Sequence, residues 1–198
     1  MFHTNFVGRS TTKGMAVGAS VFLLLILMTV AATGTAAAQS APGCSGISYN
    51  GDGTTSNPYE VSNVDQLQCI NEQGLDANYV QVSDIDASET SSWNSGEGFV
   101  PIANDTDDSS ANFQGTKFTG TFDGSGNTIS GLYIDRGSTV GLFGYVGSGG
   151  RIEKVGVENV NITGNVGVGG LVGRNSGTVE NSYATGSVSR DDFSVGGL

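Results

Sequence analysis

Glu153 and Glu180 close matching phrases, Ile152-Glu153 and Val179-Glu180, 27 residues apart. Two carboxyl groups flanking a glycosidic bond hydrolyse it with retention at about 5–5.5 Å separation, or with inversion at about 6.5–9.5 Å. If the chain stacks one phrase on the other with both glutamates outward, their spacing approaches the retaining value. Stacking places every repeated residue in this way, however, and Lys154 is adjacent to neutralise the pair, so the preferred reading is a structural ladder. Asp105, Asp107 and Asp108 crowd together beside Asn104 and Ser109. Calcium is bound by oxygen ligands of this type, but the EF-hand glycine and terminal glutamate are missing, and a solvated acidic loop competes. No cofactor is therefore expected, calcium at those three aspartates being the single alternative. Asn104-Asp105-Thr106 and Asn161-Ile162-Thr163 are acceptor patterns for N-glycosylation, Asn104 on an expected loop and Asn161 within an expected strand.

What is missing narrows the chemistry further. The single histidine is His3, so the chain beyond the first 38 residues has no imidazole to activate a serine or cysteine or to hold zinc. No complete G-x-G-x-x-G or G-x-x-x-x-G-K-[ST] phrase is present. A polysaccharide lyase needs a base with clustered cations, and the few basic residues are scattered.

Residues 1–38 contain no acid. Arg9 and Lys13 precede an uncharged stretch whose apolar block runs from Val17 to Val30 and ends in Ala36-Ala37-Ala38. This is the order of a secretory signal, with cleavage expected between Ala38 and Gln39. The alternative is an uncleaved anchor, since Met15 to Ala32 gives about 18 uncharged residues; the membrane is then reached only through this leader. Export makes a Cys44–Cys69 disulfide the natural reading of the two cysteines. A lipid on Cys44 is the rival, set against the apolar block ending a dozen residues earlier.

Beyond the leader, all 19 acids face six bases, a net charge of −13 against −11 for the whole chain. Nucleic acid is therefore excluded as an expected partner. Such a surface is tolerated where salt screens its self-repulsion, which points to a halophilic source over an ordinary acidic secreted protein.

The elements that would position these residues divide the chain into an exposed lead-in (39–60), a β-rich segment with a short helix (61–140) and a repetitive part (141–198). Ser62 is the expected N-cap, Val64, Leu67 and Ile70 recur at helical spacing, and Gly74 stops the helix. Strands are expected at 79–85, 99–102, 113–122 and 128–134, and 85–110 reads as a decorated loop region. From 141 on, the chain repeats itself. Gly141-Leu142-Phe143-Gly144 returns as Gly170-Leu171-Val172-Gly173, Ile162 as Val188, and Gly170-Leu171 as Gly197-Leu198. The spacing drifts only where turns shorten, so strands match while loops vary. Short apolar pieces with no helical period, inward at Val155, Val157, Val160 and Ile162, predict a parallel β-solenoid with rungs about 4.8 Å apart. Leu142 with Leu171, Phe143 with Val172 and Ile152 with Val179 should form internal ladders, and Gly144, Gly170, Gly173 and Gly197 the corners.

The phrases GLFGYVGSGGRIEKVGVENVNITG (141–164) and GGLVGRNSGTVENSYATGSV (169–188) resemble GLUG motifs. GDGTTSNPYEVSNVDQLQCI, DIDAS and FTGTFDGSGNTISGLYI resemble the segment preceding such repeats, so the likeness covers residues 51–198. It implies an all-β, right-handed parallel β-helix of a bacterial or archaeal surface protein, and the low-lysine acidity resembles haloarchaeal members. Because two repeats are complete and a third opens at Gly197-Leu198, a fragment of a longer protein is expected. The functional expectation is a non-catalytic secreted or cell-surface module, adhesin-like, meeting cell-envelope components or glycans. A β-helix lyase or glycosidase is one alternative. The other is a carbohydrate-binding module using Trp93, Tyr133 or Tyr183.

Overall fold

In a three-residue strand that packs on one side, only the middle side chain can face the core, because successive residues point to opposite faces. In the computed structural model, which describes residues 39–107 and 112–190, strands β4 (Thr121–Asp123), β5 (Thr128–Ser130) and β8 (Arg151–Glu153) obey this pattern. Phe122, Ile129 and Ile152 are fully buried between partly exposed neighbours. The chain is mostly β, and its named strands pair in parallel. One sheet runs in the order β1 (Tyr59–Val61), β2 (Asn78–Gln81), β4, β8, β11 (Thr178–Glu180). A second has the order β3 (Ile85–Asp86), β5, β9 (Gly156–Gly164), β12 (Tyr183–Arg190), with β6 (Tyr133–Asp135) also on β9. β7 (Phe143–Val146) pairs with β10 (Val172–Asn175).

Register turns these pairs into interior ladders. Tyr59, Tyr79, Phe122, Ile152 and Val179 succeed one another across the first sheet. Ile85, Ile129 and Val157 do so across the second, beside Ile134 and Ile162, and the register continues to Ala184 and Val188, which are exposed on β12. Phe143 pairs with Val172 and Ile152 with Val179, as the repeat spacing predicts. Leu142 and Leu171 are both buried, and so are Val155, Val157, Val160 and Ile162. The aromatic side chains form a column within this core. The ring of Phe143 lies 5.1 Å from that of Phe118 and 5.5 Å from that of Phe122, and Tyr79 links Phe118 to Tyr59 and Tyr49.

Several sequence expectations are corrected by packing. The helix is two pieces, α1 (Val64–Gln68) and α2 (Ile70–Gln73), ended by Gly74 at φ 144°. Its N-cap is Asn63, whose side chain accepts from Gln66 N at 2.9 Å, while Gln66 Oε1 reaches back to Ser62 N at 2.8 Å. The box is thus displaced by one residue from the expected Ser62. The described part of the 85–110 segment, residues 85–107, is not surface decoration, because Trp93, Phe99 and Ile102 are fully buried. Residues 99–102 form no named strand; Gln68 and Asn71 stand in for one. Gln68 exchanges two hydrogen bonds with the backbone of Val100, and Asn71 bonds Pro101 O and Ala103 N. In the 113–122 stretch only Thr121 onward is strand, Phe118 joining Val146 by an isolated bridge. Gly144 lies within β7, where it is needed for close approach instead of for a corner, whereas Gly170 sits in a bend before β10 and is closely approached as well. A Cβ at Gly144 would lie 2.5 Å from Ala103 O, and one at Gly170 2.6 Å from Ala184 Cβ. Gly197 lies outside the described residues.

Candidate functional site

The outward residues of the first sheet carry its chemistry. Since Phe122, Ile152 and Val179 point inward, the residue after each points out, and register places Asp123, Glu153 and Glu180 in one row on consecutive strands. Glu153 and Glu180 are therefore neighbours, as their repeat positions predict. Asp123 is a third rung, upstream of the repeats whose spacing paired the two glutamates. The signal was present in the shared order of apolar residue, acid and turn residue: Phe122-Asp123-Gly124, Ile152-Glu153-Lys154, Val179-Glu180-Asn181. Lys154 and Asn181 both have left-handed backbone, at φ 52° and 50°.

Like charges about 4.8 Å apart repel, and two cations relieve the row. Arg151 occupies the other outward position of β8. Its Nη2 lies 3.2 Å from Glu153 Oε2 and pairs also with Glu180 Oε1. Lys154 Nζ lies 3.2 Å from Asp123 Oδ2 and 3.7 Å from Glu153 Oε2. Lys154 thus serves Asp123 and Glu153, and it is Arg151 that bridges the Glu153–Glu180 pair. The hydrogen bond to Glu153 raises the Arg151 pKa, and that to Asp123 raises the pKa of Lys154. Every member of the row contacts a cation, whereas glycoside cleavage needs one carboxyl group to donate a proton and another left free to attack or to activate water. Beside the row, Thr55, Pro58, Asn78 and Val80 line an open depression of about 210 Å³.

The remaining candidate residues are dispersed. Asp105 is nearly buried, and its Oδ1 accepts from Gln114 N at 2.9 Å and Asp107 N at 3.4 Å. Asp108 lies outside the described residues, among which no group of three His, Cys, Asp or Glu could hold a metal ion. Asn104 Nδ2 donates to Asp105 O at 3.1 Å, and Asn161 is exposed on β9, opposite Tyr133 and Ser187. Cys44 and Cys69 are joined, Cα atoms 5.5 Å apart, tying the lead-in to the α1–α2 junction. Ala38 lies outside the described residues; Gln39 N donates to Ser92 O at 2.9 Å. Trp93 is 1% exposed and so presents no stacking surface. Tyr183 is 49% exposed, and its hydroxyl donates to Glu158 Oε1 at 2.6 Å, which raises its pKa. No helix among the described residues is long and apolar enough to cross a membrane.

Residues 164–189 match the family model of the GLUG motif. The chain is 44% identical to halomucin of Haloquadratum walsbyi over 156 residues, 76% of this chain and 2% of halomucin. It is 30% identical over 143 residues, 69% of this chain, to a protein of Evansella cellulosilytica whose name describes it as a Gly-rich membrane protein, covering 15% of that protein. The chain thus spans a small fraction of either relative. No solved structure matches it.

Proposed function

We propose that the chain is a non-catalytic structural segment of an exported, adhesin-like surface protein, built as a right-handed parallel β-helix whose leader is cleaved between Ala38 and Gln39. The observation that carries this reading is the Asp123–Glu153–Glu180 row. Its acids stand in register, and all are tied to Arg151 or Lys154. A repeated outward carboxylate held by cations is a surface rail, whereas a glycosidase needs one acid protonated and another free to attack. The apolar interior ladders and the similarity to halomucin favour the same reading. Its partners are envelope components or glycans met along the outward rows, with no role for nucleic acid.

The test is to incubate the full chain with a glycan panel and isolated cell envelopes in molar salt, with and without calcium, following both retention and released oligosaccharide. Retention without product is expected. Glycan cleavage abolished by Glu180→Gln would overturn the reading. Mass spectrometry of the exported chain should give Gln39 as its first residue.

A further inference from the structure

We propose that the cleft between segment 100–106 and the turn after β6 binds a neutral, polyhydroxylated ligand of monosaccharide size, held by Asp105 and Ser138. The cleft has a volume of about 360 Å³, at the small end of ligand sites. Two of its lining residues are polar and nearly buried, Asp105 at 8% exposure and Ser138 at 6%. Asp105 spends Oδ1 on the Gln114 and Asp107 backbone. Neither its Oδ2 nor the Ser138 hydroxyl has a hydrogen-bond partner among the described residues. Both atoms open onto the same space, where a ligand hydroxyl can reach them.

Charge selects the class of ligand. Arg136 lines the cleft too, but its Nε donates to Phe99 O at 3.1 Å, its Nη2 to Gly98 O at 3.2 Å, and its Nη1 pairs with Glu97 at 3.0 Å. Its guanidinium is held in place by these bonds, and its charge opposes a divalent cation in the cleft. The Asp105 carboxylate opposes an anion. Neutral hydroxyls satisfy both constraints. One donates to Asp105 Oδ2, another exchanges a bond with Ser138, and Val100 with Pro101 offers an apolar wall to the ligand's C–H face. The inference stands independently of the surface-segment reading, since it depends on this cleft alone.

Saturation-transfer NMR on the full chain in molar sodium chloride, with glucose, galactose and mannose as probes and calcium chloride as competitor, tests it. Saturable binding of at least one hexose is expected, unaffected by calcium. Ser138→Ala should weaken it about threefold and Asp105→Asn about tenfold; asparagine keeps the Oδ1 acceptor for Gln114 N, so the melting temperature should hold. Absence of saturable hexose binding up to about 100 mM, binding that both variants leave unchanged, or displacement by calcium would each overturn the proposal.

Discussion

Asp84 accepts hydrogen bonds from both Thr128 N at 2.8 Å and Thr128 Oγ1 at 3.1 Å, 44 residues along the chain. The first residue of the DIDAS phrase thus clamps the first residue of β5. Asp84→Ala should cost about 1 kcal/mol, read as a lower denaturant midpoint at unchanged slope. Asp86 acts locally, its Oδ1 accepting from Ser88 N at 2.9 Å, and this bond lowers its pKa. A depressed carboxylate pKa contributes stability above the ordinary aspartate value of about 3.9, lost as pH falls through the lowered folded value. Asp86→Asn should flatten that acid limb in melts recorded between neutral pH and about pH 3. The carboxylate row was half legible in sequence. Repeat spacing paired Glu153 with Glu180, but the rung at Asp123 lies upstream of the recognisable repeats, and side-chain reach decided that Arg151, not Lys154, bridges the glutamates.

At the scale of elements, capping and close backbone approach govern. Asn63→Ala should destabilise by about 1 kcal/mol, and Ser62→Ala by less, because Asn63 holds the Gln66 amide; chemical denaturation of the two variants separates the cap assignments. Gly120 lies just before β4, and a Cβ there would sit 1.9 Å from Ala77 O and 2.8 Å from Ala77 C. Gly120→Ala must push two backbones apart, so a loss of at least about 2 kcal/mol is expected in the same measurement. Strand positions were readable because a three-residue strand with one buried residue leaves a short apolar mark. Segment 99–103 misled because its partners are the side-chain amides of Gln68 and Asn71, and no local pattern encodes which distant residue will supply them.

For the molecule as a whole, the Cys44–Cys69 link closes a loop with a sequence separation of 25. Replacing both cysteines by serine should remove roughly 3.5 kcal/mol in the chain-entropy model, visible as a lower melting temperature that reductant reproduces in the native chain. The net charge of −11 repels itself in dilute buffer, and salt shortens the Debye length from about 10 Å at 0.1 M to about 3 Å at 1 M. The melting temperature should therefore rise with sodium chloride across that range, and urea melts should shift in parallel. A flat response would show that the acids are relieved locally, as Arg151 and Lys154 relieve the row.

Sequence by itself determined the β class, the parallel stacking of the repeats, the inward positions from Val155 to Ile162 and the pairing of the two glutamates. Each of these follows from spacing along the chain, since side chains alternate across a strand and a repeat brings equal positions together. Tertiary structure alone decided the fate of groups whose partners are remote. Trp93 went into the core and not to a glycan, Gln68 and Asn71 became a surrogate strand, and Asp123 joined a row across 30 residues. In each case the deciding contact joins residues that no local period relates, so its energy becomes visible only once the sheets have stacked.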